Sequence, residues 1–393
     1  MENFCELIRQ LFQIIKISIA GIGLVLSKNA AIILSRQHLR PSLADEWVRK
    51  LRDAVQFVKR ENLTLFSSVG SRNWEIITAC AVLNNVPLRL LMPARESSSF
   101  EALKSKASRQ YCLTAGRVKF DKINDENSND LTPRQLANIR DETIIKQANI
   151  LIPVSVRPRG NMSELLSKSG ADGKTIVREF ETEYEKKKSK LAYQIDISAL
   201  SNKIMALDES YLIHWTRATN CRWPDENELE FYRMIFSSDK YRRTAFDTLR
   251  KILNTKLIIA SSKNMPTNTR TVCFSGLVPK EAIRLMKWRA RYCQMSFEPF
   301  GIGIERNYAM AHGIKEVHYY DLSQKKQKDG QDNWLWQSAG KKTDWGNEKE
   351  FRHKGDFDFS KVPDEKRIIF CHYRRQASLV QNLTGLKAMS FYN

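Results

Sequence analysis

In the first half of the chain, apolar residues fall into short continuous runs, separated by longer stretches where they recur every three to four positions. Residues 30–34, 64–67, 87–92 and 150–156 read as strands, and residues 43–60, 72–84, 100–110 and 133–147 as helices. Over 43–60, Trp47, Leu51, Ala54, Val55 and Val58 share one helical face. Continuously apolar strands alternating with helices predict a mainly parallel sheet covered on both faces. Right-handed crossovers then put the functional loops at the strand C-terminal ends. The pattern changes after residue 210. Helices are expected around 226–236, 245–253 and 280–292, and strands at 257–260, 271–274, 302–304, 317–320 and 367–371. The fold class expected is α/β: a Rossmann-like, mainly parallel sheet domain followed by a second, α+β domain.

Residues 170–195 open on Gly170-Ala171-Asp172-Gly173 and run into the charged FETEYEKKKSK, which marks a boundary. The expected division is a helix over 1–27, an α/β domain over 28–175, a linker over 176–206 and an α+β domain over 207–393. In the first segment Leu7, Leu11, Ile14 and Ile15 have helical spacing. The apolar run at 17–26 is too short to span a bilayer, so an amphipathic helix and no membrane span are expected.

A chain of 393 residues is long enough for two cores. Its net charge of +20 favours polyanionic partners, which makes a nucleotide or DNA plausible. The seven cysteines form no C-x-x-C pair. That argues against a zinc site or a disulfide framework and fits a reducing, cytoplasmic compartment; no metal is expected.

Three loops after predicted strands combine small residues with cations, as a phosphate site requires. The first contains Ser35, Arg36 and Arg40. The second contains Gly70, Ser71 and Arg72, and the third Arg157, Arg159, Gly160, Asn161 and Glu164. The same residues also suit ordinary turns that cap helices. In the second half, His214 ends an apolar Tyr-Leu-Ile run, and Glu348 and Glu350 stand two apart, on one face if the segment is a strand. A His, a Tyr and a pair of Glu suit reaction at an N-glycosidic carbon, where a carboxylate stabilises an oxocarbenium-like sugar. They equally suit a core or capping histidine and surface ion pairs across 348–352.

The segments GSRNWEIITACAVLNNVPLRLLMP and RPRGNMSE, within residues 28–170, resemble the SLOG superfamily, which includes DprA and the LOG-type nucleotide phosphoribohydrolases. The chain has LSRQ where many members place a Gly before Ser-Arg, and a single Gly160 in the third loop. These departures point to ligand sensing or DNA binding rather than LOG-type hydrolysis, for which Glu164 is the matching carboxylate. Over 207–375, the segments CFS, FGIGIE and WGNEKEFR are remotely similar to ADP-ribosyltransferases, including DarT-like enzymes. That resemblance implies NAD as the substrate, Glu350 as the catalytic carboxylate with Glu348 beside it, and His214 as the ribose-holding residue. It also implies Tyr319 or Tyr320 as the stacking ring. The function expected is therefore ADP-ribosyl transfer or NAD hydrolysis by the second domain, with the first as sensor, in a defence-type protein. The alternatives are an N-glycosidase acting on DNA or nucleotides, and a non-enzymatic single-stranded DNA binder of DprA type.

Overall fold

The computed structural model describes residues 28–94, 97–123, 131–185, 190–262, 265, 268–321, 332–339 and 345–392. The helix expected over 1–27 lies outside them. The chain divides into two compact units. The first takes the described residues of Met1–Gln37, Pro41–Lys186 and Asn227–Asp239; the second takes those of His38–Arg40, Lys187–Glu226 and Lys240–Asn393.

The first unit is a six-stranded, all-parallel sheet in the order β4-β3-β2-β1-β5-β6. The strands are β1 (Asn29–Leu34), β2 (Thr64–Ser68), β3 (Leu88–Met92), β4 (Val118–Lys122), β5 (Ile150–Ser155) and β6 (Thr175–Ile176). Helices Glu46–Arg60, Arg72–Leu83, Ser97–Tyr111, Pro133–Gln147 and Asn161–Ala171 connect them. β1 and β5 are apolar almost throughout because both of their faces are buried. Helix Glu46–Arg60 buries the face read from its periodicity, Trp47, Leu51, Ala54, Val55 and Val58, and Val48 as well. Helix Pro133–Gln147 starts on a reciprocal cap between Thr132 and Gln135, with Pro133 supplying the preset φ of a first turn. Strand β4, VKFDK, escapes a reading by hydropathy. It is a half-exposed edge strand, and its Asp121 pairs with Arg89 of β3.

Two boundaries differ from expectation. The stretch expected to be a linker is divided between the units: β6 and the residues up to Glu185 stay with the first, while Leu200 and Ile204 enter the core of the second. In the first part, Val177 N–H donates to Leu151 O at 2.9 Å and Thr182 N–H to Val154 O at 2.7 Å, so the chain runs along β5 despite its charge. Helix Glu228–Ile235, expected in the second domain, belongs to the first unit and buries Leu229, Phe231, Tyr232 and Ile235 in its core.

The second unit is built on a seven-stranded sheet. Its order is Lys315–Glu316, Glu350–Lys354, Thr271–Ser275, Tyr211–Trp215, Gly301–Glu305, Arg367–Cys371, Ala388–Ser390. Neighbours are antiparallel except the last pair. Alternate residues feed two cores, as the pleat requires: Ile369 and Cys371 enter one, Ile368 and Phe370 the other. The helix expected over 280–292 is not formed. The chain makes the short helix Pro279–Ala282 and the 3-10 turn Ile283–Leu285, and then Trp288–Arg289 pairs antiparallel with Gln294–Met295. The helical spacing of Ala282, Leu285 and Met286, all buried, ends there, and the alternating Lys287, Arg289 and Arg291 fit a hairpin better.

Gly303 pairs with Ile368 on the neighbouring strand, where there is no room for a side chain. A Cβ on it would stand 2.8 Å from Ile368 and 2.9 Å from Phe370. Both neighbours are fully buried, so they cannot yield cheaply. Gly303→Ala is therefore expected to destabilise the second unit by about 1–3 kcal/mol, read as a lowered denaturant midpoint. A midpoint equal to the parent's would show that this strand pair repacks freely.

Candidate functional site

In the first unit, β1 and β5 lie side by side although they are four strands apart in sequence order, so the sheet reverses direction of growth between them. The crevice at their carboxyl ends is where open α/β sheets bind ligands. Two of the three predicted loops meet there. Ser35 Oγ accepts from the Arg157 N–H at 2.9 Å, and the Ser35 N–H donates to Ser155 O at 3.0 Å. Asn73 Nδ2 donates to Leu34 O at 3.2 Å and ties in the start of helix Arg72–Leu83. Ser35 is buried and spends its hydroxyl on the loop, so it holds the crevice together. Arg36, Arg157, Arg159, Asn161 and Glu164 are exposed around it. Arg159 has a left-handed φ of 55°, and Gly160 caps helix Asn161–Ala171.

The second loop is organised differently. Gly70 has a φ of 86°, and its N–H is taken by the Glu75 carboxylate, which also accepts from Tyr232 Oη at 3.1 Å. Burial, reinforced by Glu228, raises the Glu75 pKa. The N–H of this glycine is therefore spent on the first turn of the helix that follows. Ser71 Oγ is buried without a hydrogen-bond partner among the described residues, and Arg72 is half-buried at the helix start.

The predicted residues of the second unit come together more closely. Strands Tyr211–Trp215 and Thr271–Ser275 pair at Ile213 and Ser275 alone, so they splay apart. The opening is a cavity of about 320 Å³, whose wall includes His214, Arg217, Cys273, Arg289, Tyr292, Gln337, Glu348, Glu350 and Arg352. His214 bridges the splayed strands, with Nδ1 2.8 Å from the Cys273 carbonyl oxygen. A carbonyl only accepts, so Nδ1 carries the proton and Nε2 keeps its lone pair. Burial pushes the His214 pKa down to about 4, opposed by the Cys273 carbonyl, so the ring is neutral at physiological pH.

The two glutamates reach this cavity from different backbone states. Glu348 ends the 3-10 turn Trp345–Glu348, Lys349 takes a left-handed φ of 43°, and Glu350 begins strand Glu350–Lys354. The turn is pinned to the neighbouring strand: Ser275 Oγ donates to Glu348 O at 2.7 Å, and Gly276 N–H to Lys349 O at 2.7 Å. Glu350 and Arg352 share the strand face and form a forked ion pair, Nε to Oε1 and Nη2 to Oε2, both at 2.9 Å. Arg352 is buried and also donates to Trp334 O at 2.7 Å and Gln337 Oε1 at 2.8 Å. The ion pair expected on the surface is thus a buried one.

Glu348 is held loosely, with Oε1 3.5 Å from Arg289 Nη2. Burial pushes its pKa up to about 7, the Glu350 charge adds to the effect, and the three arginines of the wall oppose it. Arg217 is exposed into the cavity and makes no side-chain hydrogen bond or ion pair among the described residues. Cys273 also lines the wall; its residue is exposed, but desolvation of the thiol in the cavity and the Glu350 charge raise its pKa well above the ordinary range, which disfavours the nucleophilic thiolate.

Tyr319 is not among the residues of the cavity wall. Its hydroxyl accepts from the Glu350 N–H at 3.2 Å and so steadies the backbone at the start of that strand. Tyr320 packs near Trp336, with ring centroids 6.3 Å apart. Sequence reasoning missed Arg217 and Arg289, and placed Arg352 only in a surface ion-pair cluster. Only Arg352 carried a legible signal, since i and i+2 on a strand share a face. Among the described residues no group of His, Cys, Asp and Glu is arranged to hold a metal ion, and no helix is long and apolar enough to cross a membrane. No family model, curated protein or solved structure matches the chain.

Proposed function

We propose that the second unit breaks an N-glycosidic bond of a nucleotide, with NAD as substrate, by ADP-ribosyl transfer or by hydrolysis. One arrangement supports this above the others. A glutamate ion-paired to a buried arginine and a second glutamate that titrates near neutrality face the same cavity as a neutral imidazole. Two carboxylates in different electrostatic surroundings divide the labour of glycosidic chemistry.

The C1′–N bond breaks with its electron pair leaving on the base, and the sugar becomes oxocarbenium-like. Glu350 supplies the negative charge that stabilises this cation. Both of its oxygens accept from Arg352, which fixes the carboxylate in one orientation. Glu348 is the base, and takes the proton of the attacking water or acceptor hydroxyl as the new C1′–O bond forms. His214 Nε2 accepts from a ribose hydroxyl. The first unit acts as a sensor for a nucleotide or nucleic acid, with Arg36, Arg157 and Arg159 as the exposed cations of its crevice.

The test is mass spectrometry of products after incubation with NAD and, separately, with DNA. Free nicotinamide with hydrolysed or transferred ADP-ribose is expected. Release of a free base from DNA instead, abolished by Glu164→Gln, would move the chemistry to the first unit. Silence with both substrates, alongside salt-sensitive DNA binding, would leave a binding protein.

A further inference from the structure

The cavity of the second unit presents three guanidinium groups and two carboxylates, a surplus of positive charge. The groups are not equivalent. Arg352 is committed to Glu350, Trp334 and Gln337, and Arg289 is paired with Glu348. Arg217 is left over. It follows the buried Trp215 and Thr216 at the end of strand Tyr211–Trp215, and its backbone is fixed where its carbonyl accepts from Thr248 Oγ1 at 3.2 Å. The adjoining Ala218 N–H donates to the Glu298 carboxylate at 2.6 Å. A firmly held backbone thus carries a side chain that reaches the cavity without a protein partner among the described residues. A guanidinium so placed suits bidentate recognition of a tetrahedral oxyanion.

We infer that Arg217 is the anion-anchoring residue of the cavity and that its ligand is a free nucleotide, held through a phosphate group. The assignment rests on the N-glycosidic reading of the same site. A free nucleotide is favoured over a nucleic-acid strand because a cavity of about 320 Å³ falls within the range of small-ligand pockets.

Binding of inorganic pyrophosphate, ADP-ribose and a single-stranded oligonucleotide is measured by calorimetry on the full chain, for the parent, Arg217→Ala and Arg217→Lys. Arg217 is exposed, so both variants are expected to keep the parent's melting temperature. Pyrophosphate and ADP-ribose affinity should fall about tenfold or more in Arg217→Ala, and recover in part in Arg217→Lys, which keeps the charge and loses the fork. With NAD turnover as a second readout, KM should rise more than kcat falls in Arg217→Ala. Parent-like ADP-ribose affinity in Arg217→Ala overturns the inference, as does a parent that binds neither anion. An effect confined to the oligonucleotide overturns the choice of a free nucleotide. Arg217-dependent pyrophosphate binding without any NAD turnover leaves the anchor standing and removes the N-glycosidic reading.

Discussion

Glu348→Gln is expected to lower NAD turnover by about 10²–10⁴-fold while leaving the fold intact, the range associated with loss of a general base. The substitution keeps the shape of the side chain and the backbone contacts of the turn, because Ser275 binds the Glu348 carbonyl and not its carboxylate. What it removes is a group whose pKa, raised to about 7 by burial and by Glu350, lets it gain and lose a proton under working conditions. Acting as a base, Glu348 should make kcat rise with pH through about 7, and the variant's residual rate should lack that limb. The stability linkage has the opposite sense. A carboxyl with a raised folded-state pKa contributes stability that is full below its ordinary pKa of 4.5 and is lost as pH rises through about 7. A pH-rate profile and chemical denaturation at pH 4.5 and pH 8 read the two separately. Retention of more than a tenth of parental turnover by Glu348→Gln would exclude it as the base.

Arg352→Met is expected to be the most damaging single substitution for the stability of the second unit. The guanidinium is buried and makes four hydrogen bonds, two to Glu350 and one each to Trp334 and Gln337. Methionine keeps much of the volume but strands the Glu350 carboxylate in a partly buried site. Breaking a buried pair from one side costs about 3–5 kcal/mol, much of it the unpaired charge. Adding Glu350→Gln to Arg352→Met should therefore recover part of the stability and none of the activity. Denaturant unfolding of the two single variants and the double variant closes the cycle. A loss below about 1 kcal/mol in Arg352→Met would mean that the pair is adequately solvated through the cavity mouth.

The first unit was largely legible because its central strands are buried on both faces. Where every position of β1 must be apolar, the run is visible in a single sequence, and the helix between β1 and β2 shows its face in the spacing of Trp47, Leu51, Val55 and Val58. Elements escape a reading by hydropathy where burial and polarity part company. EFRHK is a strand in the interior of the second sheet, yet it reads as a charged surface segment, because Glu350 and Arg352 neutralise each other on the cavity side while Phe351 enters the core. VKFDK is hidden in the same way by the Arg89–Asp121 pair. At 280–292 the error ran the other way, since three buried residues at helical spacing suggested a helix that the following hairpin cuts short.

By itself the sequence determined that an apolar-strand and helix alternation must build a parallel sheet and which residues of that sheet are core, and it offered His214, Glu348 and Glu350 among its candidates for chemistry. These are local properties, set by periodicity and side-chain type. Tertiary structure alone decided that the three line one cavity, because strands sixty residues apart splay after a single paired position. It also decided which glutamate is tied up by Arg352 and which is left to titrate, and that Arg217 has no partner among the described residues while Arg289 and Arg352 do. Charge pairing and desolvation depend on distances between elements remote in sequence, and no spacing along the chain encodes those distances.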